Sequence, residues 1–137
     1  MAGNHALKQN GWLKTFRTGD LLRSGATLAL GSDWMVAPFD PRLGMAWARL
    51  RRRPGQPERP PILADQRLSP LEALQGYTTS AAFTVSEEAV SGQIKVGYRA
   101  DLTAFAADPL EVDGDTLRDL PVLMTVVDGE IVYRAAE

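Results

Sequence analysis

Cysteine is absent from this 137-residue chain, and histidine occurs once, at position 5. The first absence removes disulfide scaffolds, thiol nucleophiles, zinc ribbons and iron–sulfur clusters together. The second restricts any metal to oxygen ligands plus at most His5. No phosphate-cradling GxxxxGK[ST] loop, no GxSxG elbow and no Ser/His/Asp set is present. No apolar stretch approaches the roughly 18 residues that cross a bilayer, and the start, MAGNHALKQNG, lacks the apolar run of a secretion signal. These gaps point to a soluble, cytoplasmic protein without a membrane partner. A net charge of −2 supplies no basic surplus to release counterions, which argues against a nucleic-acid partner.

One local exception stands out. Arg42, Arg49, Arg51, Arg52, Arg53, Arg59 and Arg67 crowd the stretch between Asp40 and Leu68, broken by Pro54, Pro57, Pro60 and Pro61. The pattern reads as solvated surface, with an anion or RNA site as the sharper alternative. The run from Arg49 to Arg67 interleaves no aromatic residue for base stacking, which disfavours RNA. Asp108, Glu111, Asp113 and Asp115 depart from calcium-loop spacing and read as a solvated loop.

What is present suffices for one core. A 14.9 kDa chain folds to roughly 7,000 Å² of surface against about 21,600 Å² extended, so about two-thirds is buried. Apolar residues near helical spacing predict a helix from Trp12 or Thr18 to Ser24, stopped by Gly25. Ala26 to Leu30 is short and apolar throughout, the pattern of a strand buried on both faces of a parallel sheet. A long irregular connection follows, with a helical turn through Leu43 to Leu50. Ser69-Pro70-Leu71-Glu72 carries a capping box and a proline at the first helical position, and the helix it opens points Leu71, Leu74 and Tyr77 inward. A shorter helical piece covers Ser80 to Val85.

From Gly92 the period changes to two. Gln93 to Val96 and Leu102 to Phe105 alternate, and Asp128-Gly129 between two β-branched runs marks a hairpin, since both turn residues must tolerate positive φ. The class changes along the chain: α/β first, helices next, antiparallel strands last. One parallel-type strand cannot satisfy its backbone alone, so the chain reads as incomplete, either pairing with another chain or forming the tail of a larger protein.

Asp33 is the most informative candidate. An acid directly after a buried parallel strand sits at the carboxyl edge of the sheet, where barrel and doubly wound enzymes build their sites; taken alone, an Asp after Gly-Ser more often caps a helix or fixes a turn. Ser24 to Trp34, with its Leu30-Gly31-Ser32-Asp33-Trp34 ending, resembles the last barrel strand of metal-dependent amidohydrolases, in particular the amidohydrolase family 3 group. Leu68 to Leu74, Tyr77-Thr78 with Ala81-Ala82, Gly92-Gln93-Ile94 through Gly97 with Ala100-Asp101-Leu102, and Val126 to Tyr133 resemble that family's later motifs in the same order.

The resemblance implies a fold, a chemistry and a set of roles. Residues 1–91 resemble the last strand and helices of a TIM-type βα barrel, and residues 92–137 part of a β-sandwich accessory domain. In that family this domain contributes packing more than chemistry, so the resemblance assigns Val122 to Tyr133 to core. The architecture is incomplete as a barrel, which needs about 250 residues. The implied activity is hydrolysis of carbon–nitrogen bonds other than peptide bonds, on small amide or N-acyl substrates, with one or two divalent metals, usually zinc. Asp33 matches the aspartate that ligates metal and carries the proton. Gly31 and Ser32 would let the strand end turn closely past the metal. Trp34 and Met35 line the substrate mouth, Met35 standing where the family commonly has proline. Tyr98-Arg99 replaces the usual lysine of the "GK" turn. The family's HxH pair is missing, and His5 matches no ligand motif, so no metal is expected on this chain alone. The alternative is a non-catalytic module derived from an amidohydrolase that serves a structural role or associates with itself.

Overall fold

The structure, a computed structural model, describes residues 16–136; Trp12, where the first helix was allowed to begin, and His5 lie outside the described residues. Helix α1 spans Thr18–Arg23 and ends at Gly25, whose φ of +89° is the left-handed stop its position predicts. A buried glutamine ties it down. Gln66, in the 3-10 turn Ala64–Gln66, accepts from the Asp20 amide at 2.9 Å, donates to the Asp20 carboxylate at 3.0 Å, and accepts on its own carbonyl from the Thr18 hydroxyl at 3.1 Å.

Ala26 to Leu30 forms no strand, and this corrects the sequence reading. Its apolar residues need neighbours, and the described residues offer no parallel strand beside it. The segment docks on a helix instead. The Leu30 amide donates to the Gly76 carbonyl at 2.9 Å, and Leu30 lies so close to Gly76 that a Cβ there would stand 2.6 Å from the Leu30 side chain.

Helix α2, Pro41–Leu50, begins two residues before the helical piece expected over Leu43 to Leu50. Asp40 caps it by accepting from the Arg42 amide at 2.9 Å, and Pro41 occupies a position where no N–H is needed. Its Met45 and Ala46 enter the core with Leu68, Ala73, Leu117 and Leu120. Helix α3, Pro70–Tyr77, begins with both halves of the predicted capping box. Ala73 and Gly76 form its buried stripe, and Leu74 and Tyr77 pack against the core as expected; Leu71, one turn off that stripe, is 53% exposed. Helix α4 covers Thr79–Thr84.

Gln93 to Val96 is also not a strand. Tyr98 N–H closes a turn on the Lys95 carbonyl at 3.0 Å, and Arg99 N–H bonds the Val90 carbonyl at 2.8 Å, so the backbone closes on itself. Ile94 and Val96 are 91% and 101% exposed. The antiparallel sheet is β1 (Leu102–Phe105), β2 (Val122–Val127) and β3 (Glu130–Arg134), in that order. Leu102 faces Val126 across the first pair, and Val127 faces Glu130 across the second. Asp128 and Gly129 both have positive φ, 49° and 84°, the two-residue turn that matches strand twist. Val126 is buried, whereas Leu123, Val127, Ile131, Val132 and Tyr133 stay about half exposed, so only part of this hairpin is core.

The arginine stretch is the largest correction. Arg42 donates to the Leu120 carbonyl at 2.5 Å, Arg49 to the carbonyls of Pro109 and Val112, and Arg52 makes a bidentate pair with Asp115 at 2.8 and 2.6 Å. Asp113 caps helix α5, Gly114–Leu117. Neither the basic nor the acidic segment is merely a solvated loop, because each holds the other across 60 or more residues of sequence.

Two outcomes follow. Val126→Asp buries an unpaired charge and should cost about 3 kcal/mol, read as a lower urea midpoint. Hydrogen bonds from Gln66 above all, then Arg23 and Arg17, hold the Asp20 carboxyl at about 2, and Arg52 holds that of Asp115 at about 2. Both lie below the ordinary 3.8, so their contribution is full above pH 4 and is lost as pH falls from 4 towards 2. Thermal melts across that window should show the loss, and Asp115→Asn should flatten it.

Candidate active site

Asp33 sits where the extended segment leaves helix α3. Leu30 is held at Gly76, and three residues later the chain reverses. The Val36 amide donates to the Asp33 carbonyl at 2.7 Å and the Ala37 amide to the Ser32 carbonyl at 3.2 Å. Asp33 takes φ +49°, a left-handed conformation that Asp tolerates better than most residues, and the Trp34–Met35 peptide bond is cis. Its carboxylate is exposed at the tip of this turn. Trp34, Met35 and Val36 are exposed with it, and Trp34 meets Phe39 edge to face, ring centres 5.4 Å apart and planes at 82°.

The structure therefore brings Asp33, Trp34 and Met35 together on one exposed turn, as their adjacency requires. Among the described residues no cluster of three His, Asp or Glu side chains is positioned to hold a metal, and structural or catalytic zinc takes three or four protein ligands. The donor set does not fit a zinc centre. Nothing lies within 4 Å of a Cβ built on Gly31, so no close approach explains that glycine.

A separate cavity of about 650 Å³ lies between α2, α3 and β1, lined by Met45, Leu74, Tyr77, Ile94, Leu102 and Phe105 among others. Burial pushes the Tyr77 phenol above its ordinary value, and its hydroxyl rests on Gly44, where a Cβ would lie 1.8 Å away. Asp33, Trp34 and Met35 are not part of its lining. Sequence reasoning missed Phe39, although Pro38-Phe39-Asp40-Pro41 signals a helix start that fixes its backbone. The arrangement can offer a solvent-accessible carboxylate as proton acceptor or as one metal ligand beside an apolar surface. After dialysis against zinc, the purified chain should retain well under one zinc per chain by plasma mass spectrometry. Stoichiometric zinc lost in Asp33→Ala would reveal a centre assembled from several chains.

Among the described residues no helix is long and apolar enough to cross a membrane. The fold is similar to a crystal structure of an amidohydrolase from Thermotoga maritima MSB8, with a TM-score of 0.66 at 23% identity over 88% of this chain and 27% of that one. The sequence is 35% identical over 113 residues to YtcJ of Bacillus subtilis strain 168, named as an amidohydrolase, covering 82% of this chain and 21% of that protein. It is 32% identical over 123 residues to an N-substituted formamide deformylase of Arthrobacter pascens, covering 88% of this chain and 22% of the relative. The chain thus spans about a fifth of the length of these relatives. The sequence profile of the Amidohydrolase family matches residues 2–133, and on that match, nearly end to end, the chain belongs to the amidohydrolase family.

Proposed function

We propose that this chain is the C-terminal portion of a metal-dependent hydrolase of carbon–nitrogen bonds other than peptide bonds, acting on small amide or N-acyl compounds. The observation that carries this reading is Asp33: an exposed carboxylate at the turn leaving an anchored extended segment, inside the stretch matched by the family. In this reading residues 1–91 belong to the C-terminal part of a βα barrel, and residues 92–137 to part of a β-sandwich domain. A divalent metal, zinc by resemblance, belongs to the assembled enzyme, since the described residues do not form its site. The fold similarity and the two relatives named for C–N chemistry support the reading.

The role left to this chain is proton transfer. The Asp33 carboxylate accepts a proton from water as the oxygen adds to the amide carbon, and returns it to the nitrogen as the carbon–nitrogen bond breaks. A positioned acid–base group contributes on the order of 10²–10⁴ in rate. The near-complete exposure of Ile94 and Val96 favours a second reading, a module whose apolar surface is covered by association. Sedimentation of the isolated chain separates the two.

A chimera in which residues 16–136 replace the matching stretch of the Arthrobacter pascens deformylase tests the role of Asp33. Asp33→Asn should lower kcat at least about 100-fold with an unchanged circular dichroism melt. Retained activity would assign proton transfer to another group.

A further inference from the structure

We infer that Gly76 of helix α3 is a positioning residue for Asp33, fixing through Leu30 where its carboxylate stands. The inference rests on the reading of Asp33 as the carboxylate that transfers the proton. A helix favours alanine over glycine, so a glycine within one needs a reason. At Gly76 the reason is a close approach. A Cβ there would stand 2.6 Å from the Leu30 Cγ and 2.8 Å from its Cδ1. The Gly76 carbonyl also accepts from the Leu30 amide at 2.9 Å. Side chain and backbone of Leu30 are thus both registered at one point of the helix.

That point is firm because the next residue locks α3 to α2. The Tyr77 hydroxyl rests on Gly44, where a Cβ would lie 1.8 Å away, and Ala73 of α3 shares the core with Met45 of α2. The segment carrying Asp33 is therefore held at both ends by one helix pair, Leu30 on Gly76 and Asp40 as the cap of α2. Between those ends the reversal is closed by its own backbone, Val36 N–H on the Asp33 carbonyl and Ala37 N–H on the Ser32 carbonyl. Among the described residues no hydrogen bond or ion pair reaches the Asp33 carboxylate, so the backbone alone sets its place. With alanine at position 76, Leu30 must retreat by about 1 Å to regain an ordinary carbon–carbon contact. A displacement of that size at a reacting group costs on the order of 100-fold in rate.

The test uses the 137-residue chain, with the indole N–H resonances of Trp34, next to Asp33 on the turn, and Trp47, on α2, assigned through Trp34→Phe and Trp47→Phe. Gly76→Ala should shift the Trp34 resonance, leave that of Trp47 in place and keep the circular dichroism spectrum. Leu30→Ala removes the two colliding carbons and keeps only the Leu30 Cβ, 3.3 Å from the added one. The double variant Gly76→Ala/Leu30→Ala should therefore match Leu30→Ala alone at Trp34. In the chimera, Gly76→Ala should lower kcat about 10- to 100-fold with KM unchanged, and the double variant should recover most of that loss. A Trp34 resonance that stays put, Trp34 and Trp47 resonances that move alike, or a double variant no better than Gly76→Ala in fold, resonance or kcat would each overturn the inference. Full activity in the Gly76→Ala chimera beside an inactive Asp33→Asn chimera would overturn it and leave the Asp33 reading standing. A shifted Trp34 resonance with an active Asp33→Asn chimera would instead sink the Asp33 reading and leave Gly76 as the anchor of the turn.

Discussion

Helix α2 is the element on which the rest of the molecule depends. Its inner side puts Met45 and Ala46 into the core, its Arg42 and Arg49 bind backbone carbonyls between Pro109 and Leu120, and Arg52, just past its end, binds the Asp115 carboxylate. Charged hydrogen bonds are stronger than neutral ones, and a bidentate arginine adds direction to strength. The Arg52–Asp115 pair is more sheltered than the other ion pairs among the described residues, with the Arg52 side chain only 12% exposed. Through these bonds one helix connects the first half of the chain to the strands of the second. It also fixes Asp40, and through Asp40 the backbone beside Phe39.

Glycine sets how closely the layers approach. Gly44 admits the Tyr77 hydroxyl, Gly76 admits Leu30, and Gly114 admits Leu50, each at a distance where a Cβ would collide. The Gly76 contact anchors the extended segment three residues before Asp33. The same docking explains why Ala26 to Leu30 holds its place without a sheet. A helix surface and one backbone hydrogen bond substitute for strand neighbours.

The family assignment and the exposed surfaces describe one situation from two sides. The chain matches about a fifth of its relatives' length and leaves Trp34, Phe39, Ile94 and Val96 largely in water. The strongest apolar exposure is at the turn bearing Asp33 and in the Gln93 to Val96 segment, both inside motifs that carry the family resemblance.

The sequence by itself determined whatever is decided within a few residues. The Ser69–Glu72 capping box, the Gly25 helix stop, the Asp128-Gly129 hairpin and the order of family motifs were all legible, because caps and tight turns depend on local φ, ψ and nearby donors. Asp33 was singled out as a candidate for a similar reason, as part of a contiguous motif. Only the tertiary structure decided the pairing of Arg52 with Asp115, the docking of Ala26 to Leu30 on Gly76, the closure of Gln93 to Val96 into a turn and the meeting of Trp34 with Phe39. An apolar run states that a segment needs a neighbour without saying which, and an arginine run states charge without naming the carbonyl it reaches. Those choices belong to contacts between residues far apart in the chain.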